Sequence, residues 1–221
     1  MTLPDTHPRL HKRAFSLGEL VADGVVHTVA LLAGIIAFPV LFQGVLQRAT
    51  FGQFAAMVVY ALGFFALFGF SLAYNMTPAS PLKWLLRRFD HSAIYVMIAG
   101  TCTAMLALVE PGPFPMILGA LIWLGAGFGV VAKLVFPGRW DGASLLAYLA
   151  LGAAVVLAIG PLRAALPSVS LGLLVAGGLT YVAGVGFYKW HRLRFHNAIW
   201  HLFVGVAAAL QFAGIALAAT A

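Results

Sequence analysis

Polar side chains that could carry acid–base, nucleophilic or metal chemistry lie near the ends of long apolar runs. They recur at a spacing of four residues, in the pairs Asp23 with His27, Ser71 with Asn75, and Asn197 with His201. Residues at this spacing share one face of a helix about one turn apart. Together with Asp90, these pairs could direct carboxylate, hydroxyl, amide and imidazole groups from four helices into one cavity.

Asp90 begins the apolar run that follows the one containing Ser71 and Asn75, after a short basic connection. Polar groups within a membrane are costly unless they are paired or functional. We therefore interpret Ser71 and Asp90 as candidate catalytic residues. Asp23 and His27 are further intramembrane polar residues expected at the same depth.

Three kinds of activity fit this set of residues. In a hydrolase, a bound metal would polarise an amide or ester carbonyl and activate water, with His201 and Asp90 as ligands or neighbours and Ser71 supporting the transition state. In a non-enzymatic protein, the same groups would form a structural or sensing network that responds to lipid state. A proton or ion path along Asp23, His27, Asp90 and His201 is a further alternative, although all these groups lie in one leaflet.

Each group also has a purely structural interpretation. Asp90 could stabilise a helix N-terminus through the helix dipole, and Asp23 could form an intrahelical ion pair with His27. The serine and the two asparagines could form interhelical hydrogen bonds worth roughly 0.6 to 2 kcal/mol each. The convergence of all these groups at one depth is what favours a functional site.

The elements that must position these residues are membrane-spanning helices. The chain has 221 residues, of which 62% are hydrophobic and only 9% charged. Runs of about 20 apolar residues cross a bilayer, and their backbone can be satisfied only as helix or closed barrel. Because these runs are continuous and do not alternate, they predict an all-α membrane protein. The single cysteine, Cys102, excludes an intramolecular disulfide framework.

Apolar runs bounded by proline, glycine and charge predict a seven-transmembrane helix bundle. The predicted spans cover residues 18–45, 54–77, 91–109, 114–134, 143–162, 169–190 and 198–219. Ser16 and Glu19 have the spacing of a capping box at the start of the first span. Glycine-rich stretches at 125–129 and 177–178 predict close helix packing. The basic, bulky segment 82–89 is expected to lie along the membrane interface.

The distribution of basic residues predicts the orientation of the bundle. Segments on the side of the N-terminus contain eleven Lys or Arg residues, whereas those on the opposite side contain two. The positive-inside rule then puts the N-terminus in the cytoplasm and the C-terminus outside. His191 and His196 belong to the basic segments and are expected to be solvated or to face lipid headgroups. The net charge of +7 is therefore a topology signal, and nucleic acid is not expected as a partner.

Four stretches of the chain resemble the bacterial hemolysin III proteins, which are relatives of the progestin and adipoQ receptors. The matching stretches read ELVADGVVH, SLAYN, LRRFDHSAIYVMIAGT and NAIWHLFV, and the resemblance extends over essentially the whole chain. It implies a seven-helix fold with a cytoplasmic N-terminus. It also implies a zinc ion near the cytoplasmic side, and some relatives are thought to be metal-dependent lipid amide hydrolases. The family name suggests one more activity, cytolysis or pore formation.

The sequence departs from the family pattern at the implied zinc ligands. The family has a His four residues after the serine of the second block and two His residues four apart in the last span. Here the three positions hold Asn75, Asn197 and His201. An amide oxygen is a poor zinc donor, so zinc binding should be weakened unless Asp23, His27 or Asp90 has become a ligand.

The sequence thus predicts a multi-pass protein of the bacterial inner (plasma) membrane. It divides into a cytoplasmic N-terminal tail, residues 1–15, and a seven-transmembrane domain of the hemolysin III type, residues 16–221. Its predicted partners are membrane lipids, on which it would act or whose state it would sense. The predicted metal positions are His201, Asn75 and Asn197, with zinc as the metal. The alternatives are a metal-dependent lipid amide or ester hydrolase and a cytolytic protein.

Overall fold

A computed structural model of the protein describes residues 15–46 and 48–221, and these residues are helical apart from short connections. The helices are α1 (Leu17–Leu46), α2 (Phe51–Met76), α3 (Pro81–Leu106), α4 (Pro113–Val135), α5 (Asp141–Ala153), α6 (Ile159–Ala165), α7 (Ser168–Lys189) and α8 (His196–Thr220), with a 3-10 segment (Ala154–Ala158) joining α5 to α6. Except for its last residue, the predicted tail, residues 1–15, lies outside the described part of the chain.

Within residues 15–46 and 48–221, six helical elements are long and apolar enough to cross a membrane. They are α1, α2, α4, the α5–α6 element from Asp141 to Ala165, α7 and α8. The predicted all-α membrane bundle and multi-pass organisation are therefore confirmed. The third predicted span lies in α3, which is less apolar because its first turns carry basic and acidic residues. Much of α3 is buried within the bundle instead.

Helix α1 shows how the bundle distributes polar and apolar side chains. Its buried polar residues, Glu19, Asp23 and His27, follow one another at intervals of four and face the interior. Val21, Val25 and other aliphatic residues on the opposite face are more than half exposed. A lipid-facing surface has to be apolar, so the polar face of such a helix must turn inward to find partners.

The start of α1 is held by the predicted capping box, which is confirmed. The Ser16 backbone N–H donates to Glu19 Oε2 at 2.9 Å, and the Glu19 N–H donates back to Ser16 Oγ at 3.4 Å. The other carboxylate oxygen, Oε1, accepts the backbone N–H of Phe195 at 3.2 Å. Because Phe195 directly precedes α8, Glu19 ties the starts of α1 and α8 together.

Glycines set the closest helix approaches, as predicted for both glycine-rich stretches. A Cβ on Gly129 would lie 2.3 Å from the ring of Tyr95, and one on Gly177 would lie 2.9 Å from the backbone oxygen of Ala207. The α2–α3 and α7–α8 pairs pack along most of their length, whereas α5 and α7 scarcely contact each other. The bundle is therefore tight on one side and loose between α5 and α7.

Two predicted boundaries differ from the structure. Helix α3 begins at Pro81 and not at residue 91, so the basic segment 82–89 forms its first turns. Ser80 caps this start through the backbone N–H of Lys83 at 3.2 Å, and proline suits the first helical position. The fifth predicted span is interrupted by the 3-10 segment, which the apolar pattern did not indicate.

The half of the bundle farther from the polar residues is closed by an aromatic cluster. The Phe38 ring lies 5.3 Å from Tyr60, 5.3 Å from Phe64 and 5.1 Å from Phe212, measured between ring centroids. These edge-to-face contacts join α1, α2 and α8 in a region without charge. They hold together the three helices that also carry most of the polar site.

Candidate functional site

His201 on α8 is the centre of the polar cluster. Its Nδ1 lies 2.5 Å from Oδ1 of Asp23 on α1, and both side chains are largely shielded from the surroundings. A carboxylate oxygen only accepts hydrogen bonds, so the imidazole proton is on Nδ1. When the ring is neutral, the other nitrogen, Nε2, carries the lone pair.

This second nitrogen of His201 faces Ser71 on α2. The distance from Nε2 to Ser71 Oγ is 3.5 Å, and Ser71 is buried. The contact is longer than a formed hydrogen bond, as is common between a nucleophile and its base before substrate binds. Three side chains from three helices therefore lie in the order carboxylate, imidazole, hydroxyl.

The two asparagines form a hydrogen-bonded pair beside the serine. Asn75 Nδ2 donates to the Ser71 backbone oxygen at 2.9 Å and to Ser71 Oγ at 3.3 Å. Asn197 Nδ2 donates to Asn75 Oδ1 at 3.3 Å. Because Asn75 Oδ1 accepts this bond, its nitrogen is turned toward Ser71. The structure thus brings the predicted residues Ser71, Asn75, Asn197 and His201 together.

His27 completes the cluster from the α1 side. Its Nδ1 lies 2.8 Å from the backbone oxygen of Asp23, and its ring centroid lies 4.3 Å from that of His201. Asp23 Oδ2 lies 3.8 Å from His27 Nδ1 and has no hydrogen-bond partner among the described residues. The intrahelical pairing expected for Asp23 is therefore secondary, because its shorter side-chain contact crosses to α8.

Asp90 lies at the edge of this cluster. Its Oδ2 is 3.1 Å from Nδ1 of His91, and its carboxylate also faces Ser71 and His201. The backbone oxygen of His91 accepts a hydrogen bond from Tyr148 Oη at 3.0 Å, which joins α3 to α5. Asp90 is thus close to the serine, as the sequence predicted, but Asp23 is the carboxylate that binds the imidazole.

A cavity of about 790 Å³ opens from this cluster into the bundle. On α3 it runs from Arg87 to Met105, which corresponds to about 27 Å along the helix axis. Val175, Leu179 and Val182 of α7 line it and are nevertheless 48%, 65% and 55% exposed. The cavity is therefore open sideways, toward lipid, where α5 and α7 scarcely contact each other.

Comparison with known proteins identifies the family. The profile described as Haemolysin-III related matches residues 17–212. The chain belongs to this family. It is 35% identical to Hemolysin-3 of Bacillus cereus over 194 residues, which cover 88% of this chain and 89% of the relative. It is 32% identical to the Hemolysin-3 homolog of Bacillus subtilis (strain 168) over 202 residues, covering 90% and 93%.

A human protein is also similar to this haemolysin-III-related chain. The human monocyte to macrophage differentiation factor is 31% identical over 163 residues, which cover 71% of this chain and 67% of that protein. The resemblance inferred from the four sequence stretches is therefore confirmed.

The residues at the three zinc-ligand positions implied by the hemolysin III resemblance are poorly suited to bind zinc. Two of the three positions are amides that hydrogen-bond to each other and to Ser71, and only His201 offers an imidazole. A second set of donors lies beside them: Asp23, His27 and His201 place one potential ligand atom each within 4.8 Å of one another. One carboxylate with two imidazoles is a donor set that divalent metals accept. This set is a possible metal-binding triad, and it contains Asp23 and His27, two of the three residues that the sequence analysis named as replacement ligands.

Two further features of the site were not predicted from the sequence. Arg87 Nη2 contacts Asp141 Oδ2 at 2.8 Å, and Lys133 Nζ contacts Asp141 Oδ1 at 3.1 Å. We call Arg87, Lys133 and Asp141 the ion-pair cluster; it joins α3, α4 and α5 at the rim of the cavity.

His196 was expected to be solvated or to face lipid headgroups, and this was wrong: it is buried, with its ring centroid 5.4 Å from that of His191.

Proposed function

We propose that this haemolysin-III-related protein binds a membrane lipid in its cavity and acts on it or senses it. The single observation that carries the proposal is a cavity with an apolar interior, a polar cluster at one end and a lateral opening to the bilayer. Its volume lies within the range of about 300–1,000 Å³ that is usual for small-molecule sites. A lipid could place its acyl chain along α3 and its polar group beside Ser71.

The proposed membrane topology supports this orientation. We infer seven spans, with α3 as the third, a cytoplasmic N-terminus and an external C-terminus, in the bacterial inner membrane. The end of the bundle that carries Ser71 and His201 also carries Lys83, Arg87 and Arg88 at the start of α3. By the positive-inside rule this end faces the cytoplasm. The polar group of a bound lipid would then come from the cytoplasmic leaflet.

Photocrosslinking tests lipid entry directly. The purified protein in nanodiscs would be irradiated with a photoreactive, alkyne-tagged acyl lipid, and the modified residues mapped by mass spectrometry. We expect crosslinks on cavity-lining residues of α3, α5 and α7. Gly178 lines the cavity and has open space around it, so Gly178→Phe should fill the cavity and reduce these crosslinks severalfold.

Gly172→Phe is the matched control for this experiment. Gly172 lies on the same helix, is exposed and also has open space around it, but it does not line the cavity. The control should therefore crosslink like the unmodified protein. Crosslinks confined to the outer surface of the bundle, unchanged by Gly178→Phe, would contradict the proposal.

A metal-dependent lipid hydrolase is the competing function. One observation favours it: Asp23, His27 and His201 are close enough to share a cation, and Asp23 Oδ2 is buried without a hydrogen-bond partner among the described residues. Zinc would supply Lewis-acid polarisation of a carbonyl if it were bound there. Metal analysis of the purified protein tests this function, and near-stoichiometric zinc that Asp23→Ala removes would support it.

A further inference from the structure

We infer that Ser71, His201 and Asp23 form a nucleophilic triad that transfers an acyl group without a metal. This inference rests on the proposed lipid-binding function and names its chemistry. Asp23 accepts the Nδ1 proton of His201 at 2.5 Å, and His201 Nε2 faces Ser71 Oγ at 3.5 Å. Such an arrangement of nucleophile, base and orienting carboxylate recurs on unrelated folds, so it is recognised by geometry alone.

Hydrogen bonds from the asparagines orient the serine hydroxyl. Asn197 donates to Asn75, and Asn75 donates to Ser71 Oγ. Ser71 Oγ therefore accepts one bond and has its own proton to donate, and two acceptors face that proton: His201 Nε2 at 3.5 Å and the Asp90 carboxylate. With the proton directed at His201, each member of the series donates toward Asp23. The asparagines at the implied zinc positions thus orient the serine as a proton donor.

The environment of His201 suits a general base. Asp23, His27 and Asp90 are the titratable groups that face it, and Asp23 makes the shortest contact. The Asp23 carboxylate fixes the imidazole in the tautomer with a free Nε2 and would stabilise the imidazolium formed during reaction. The His27 ring packs against His201 and limits its movement. Both effects favour proton transfer from Ser71.

The proposed reaction balances as an ordinary acyl transfer. Ser71 Oγ attacks the acyl carbonyl carbon of the lipid while its proton moves to His201 Nε2. When the carbon–oxygen or carbon–nitrogen bond breaks, the leaving alcohol or amine takes that proton, and Ser71 holds the acyl group as an ester. Water then attacks this ester with His201 as base, which releases the fatty acid and restores the serine hydroxyl. No metal, oxidant or reductant is required.

The shape of the cavity indicates the substrate class. Ser71 lies at the polar end, and the remaining length along α3 is lined by apolar residues such as Ile98 and Met105. A single acyl chain fits such a lining, with its ester or amide carbonyl beside Ser71. We therefore expect a lipid acyl ester or amide that enters between α5 and α7.

An active-site-directed fluorophosphonate tests the triad. The protein in nanodiscs would be treated with two probes, a short dialkyl fluorophosphate and a fluorophosphonate bearing a long alkyl chain. We expect one covalent adduct on Ser71, identified by peptide mass spectrometry, and none in Ser71→Ala. Labelling should be unchanged after treatment with EDTA and 1,10-phenanthroline. His201→Ala should slow labelling about 100-fold or more, because general base catalysis is lost.

Ser92→Ala is the matched control for the serine variant. Ser92 is buried, does not line the cavity and has no side-chain partner among the described residues, so its loss should leave labelling unchanged. Size-exclusion profiles and melting temperatures would show that Ser71→Ala and His201→Ala remain folded. Absence of Ser71 labelling in the folded protein, or labelling abolished by chelator and restored by zinc, would overturn the inference.

The two probes separate this inference from lipid binding itself. If the photoreactive lipid enters the cavity but neither fluorophosphonate modifies Ser71, the triad is wrong and the lipid proposal stands. If the short probe modifies Ser71 while neither long-chain reagent reaches the cavity, the triad stands and the lipid proposal is wrong.

Discussion

Two polar clusters lie at the same end of the bundle and differ in how completely their charges are paired. In the ion-pair cluster, both carboxylate oxygens of Asp141 contact a cation, and three helices are joined. In what we call the relay cluster, Asp23, Ser71 and His201, one carboxylate oxygen is without a hydrogen-bond partner among the described residues, and Nε2 of His201 has only a long contact. The paired cluster suits a structural role, and the incompletely paired one suits chemistry.

The largest expected difference between the clusters is in reactivity. Asp23→Asn keeps the size of the side chain but no longer selects the reactive tautomer of His201. We expect the rate of Ser71 labelling to fall about 1,000-fold or more, as triads lose activity on this change. Asp141→Asn should leave the rate within about threefold, since Asp141 touches no member of the relay cluster. Equal losses in the two variants would contradict the distinction.

Changing the asparagines to histidines should convert the relay cluster into a metal site. With Asn75→His and Asn197→His, the two new histidines and His201 would provide three imidazoles, a donor set that zinc favours. We expect close to one zinc per chain in the double variant and far less in the unmodified protein, measured by plasma mass spectrometry. Adding His201→Ala should remove the metal. Near-stoichiometric zinc in the unmodified protein would contradict a metal-free relay.

The ion-pair cluster should matter more for stability. Asp141→Asn removes the carboxylate that the buried Arg87 and Lys133 both contact. Because Asp141 itself is 34% exposed, we expect a loss of about 2 to 3 kcal/mol in the free energy of unfolding, below the range for fully buried pairs. Denaturation in mixed micelles measures it. Glu110→Gln, at an exposed position, is the control and should change stability by less than about 0.5 kcal/mol.

A smaller effect is expected where α4 packs beside the cavity. Gly129→Ala would place a methyl group 2.3 Å from the ring of Tyr95, whose centroid lies 4.4 Å from that of Tyr148. The ring must shift, at a cost of about 1 to 3 kcal/mol. Gly127→Ala, on the same helix with open space around it, should be neutral or slightly stabilising because alanine favours helix. Thermal unfolding of both variants makes the comparison.

Most helix positions could be predicted from the sequence. The first span was predicted at 18–45 and is Leu17–Leu46, and the last was predicted at 198–219 and is His196–Thr220. Continuous apolar runs with caps determine such helices, because the bilayer allows few other structures. The start of α3 was missed because its first turns are polar, and charge was interpreted as a connection although Ser80 and Pro81 begin a helix there.

The candidate site was predictable in its members but not in its pairings. The spacing of four residues correctly placed Asp23 with His27, and Ser71 with Asn75, on shared helix faces. It did not indicate that Asp23 would contact His201, 178 residues away in the chain. It also gave no sign of Asp141, because a single acidic residue after a loop has no periodic pattern to distinguish it.

The sequence by itself therefore determined the family, the membrane-helix class and the face of its own helix that each polar residue occupies. Periodicity and hydropathy are local properties, so they carry this information. Only the tertiary structure decided which faces meet, because the rotation and depth of each helix depend on packing such as that of Phe38 against Tyr60, Phe64 and Phe212, which joins α1, α2 and α8. That packing brings Asp23 to one ring nitrogen of His201 and Ser71 to the other.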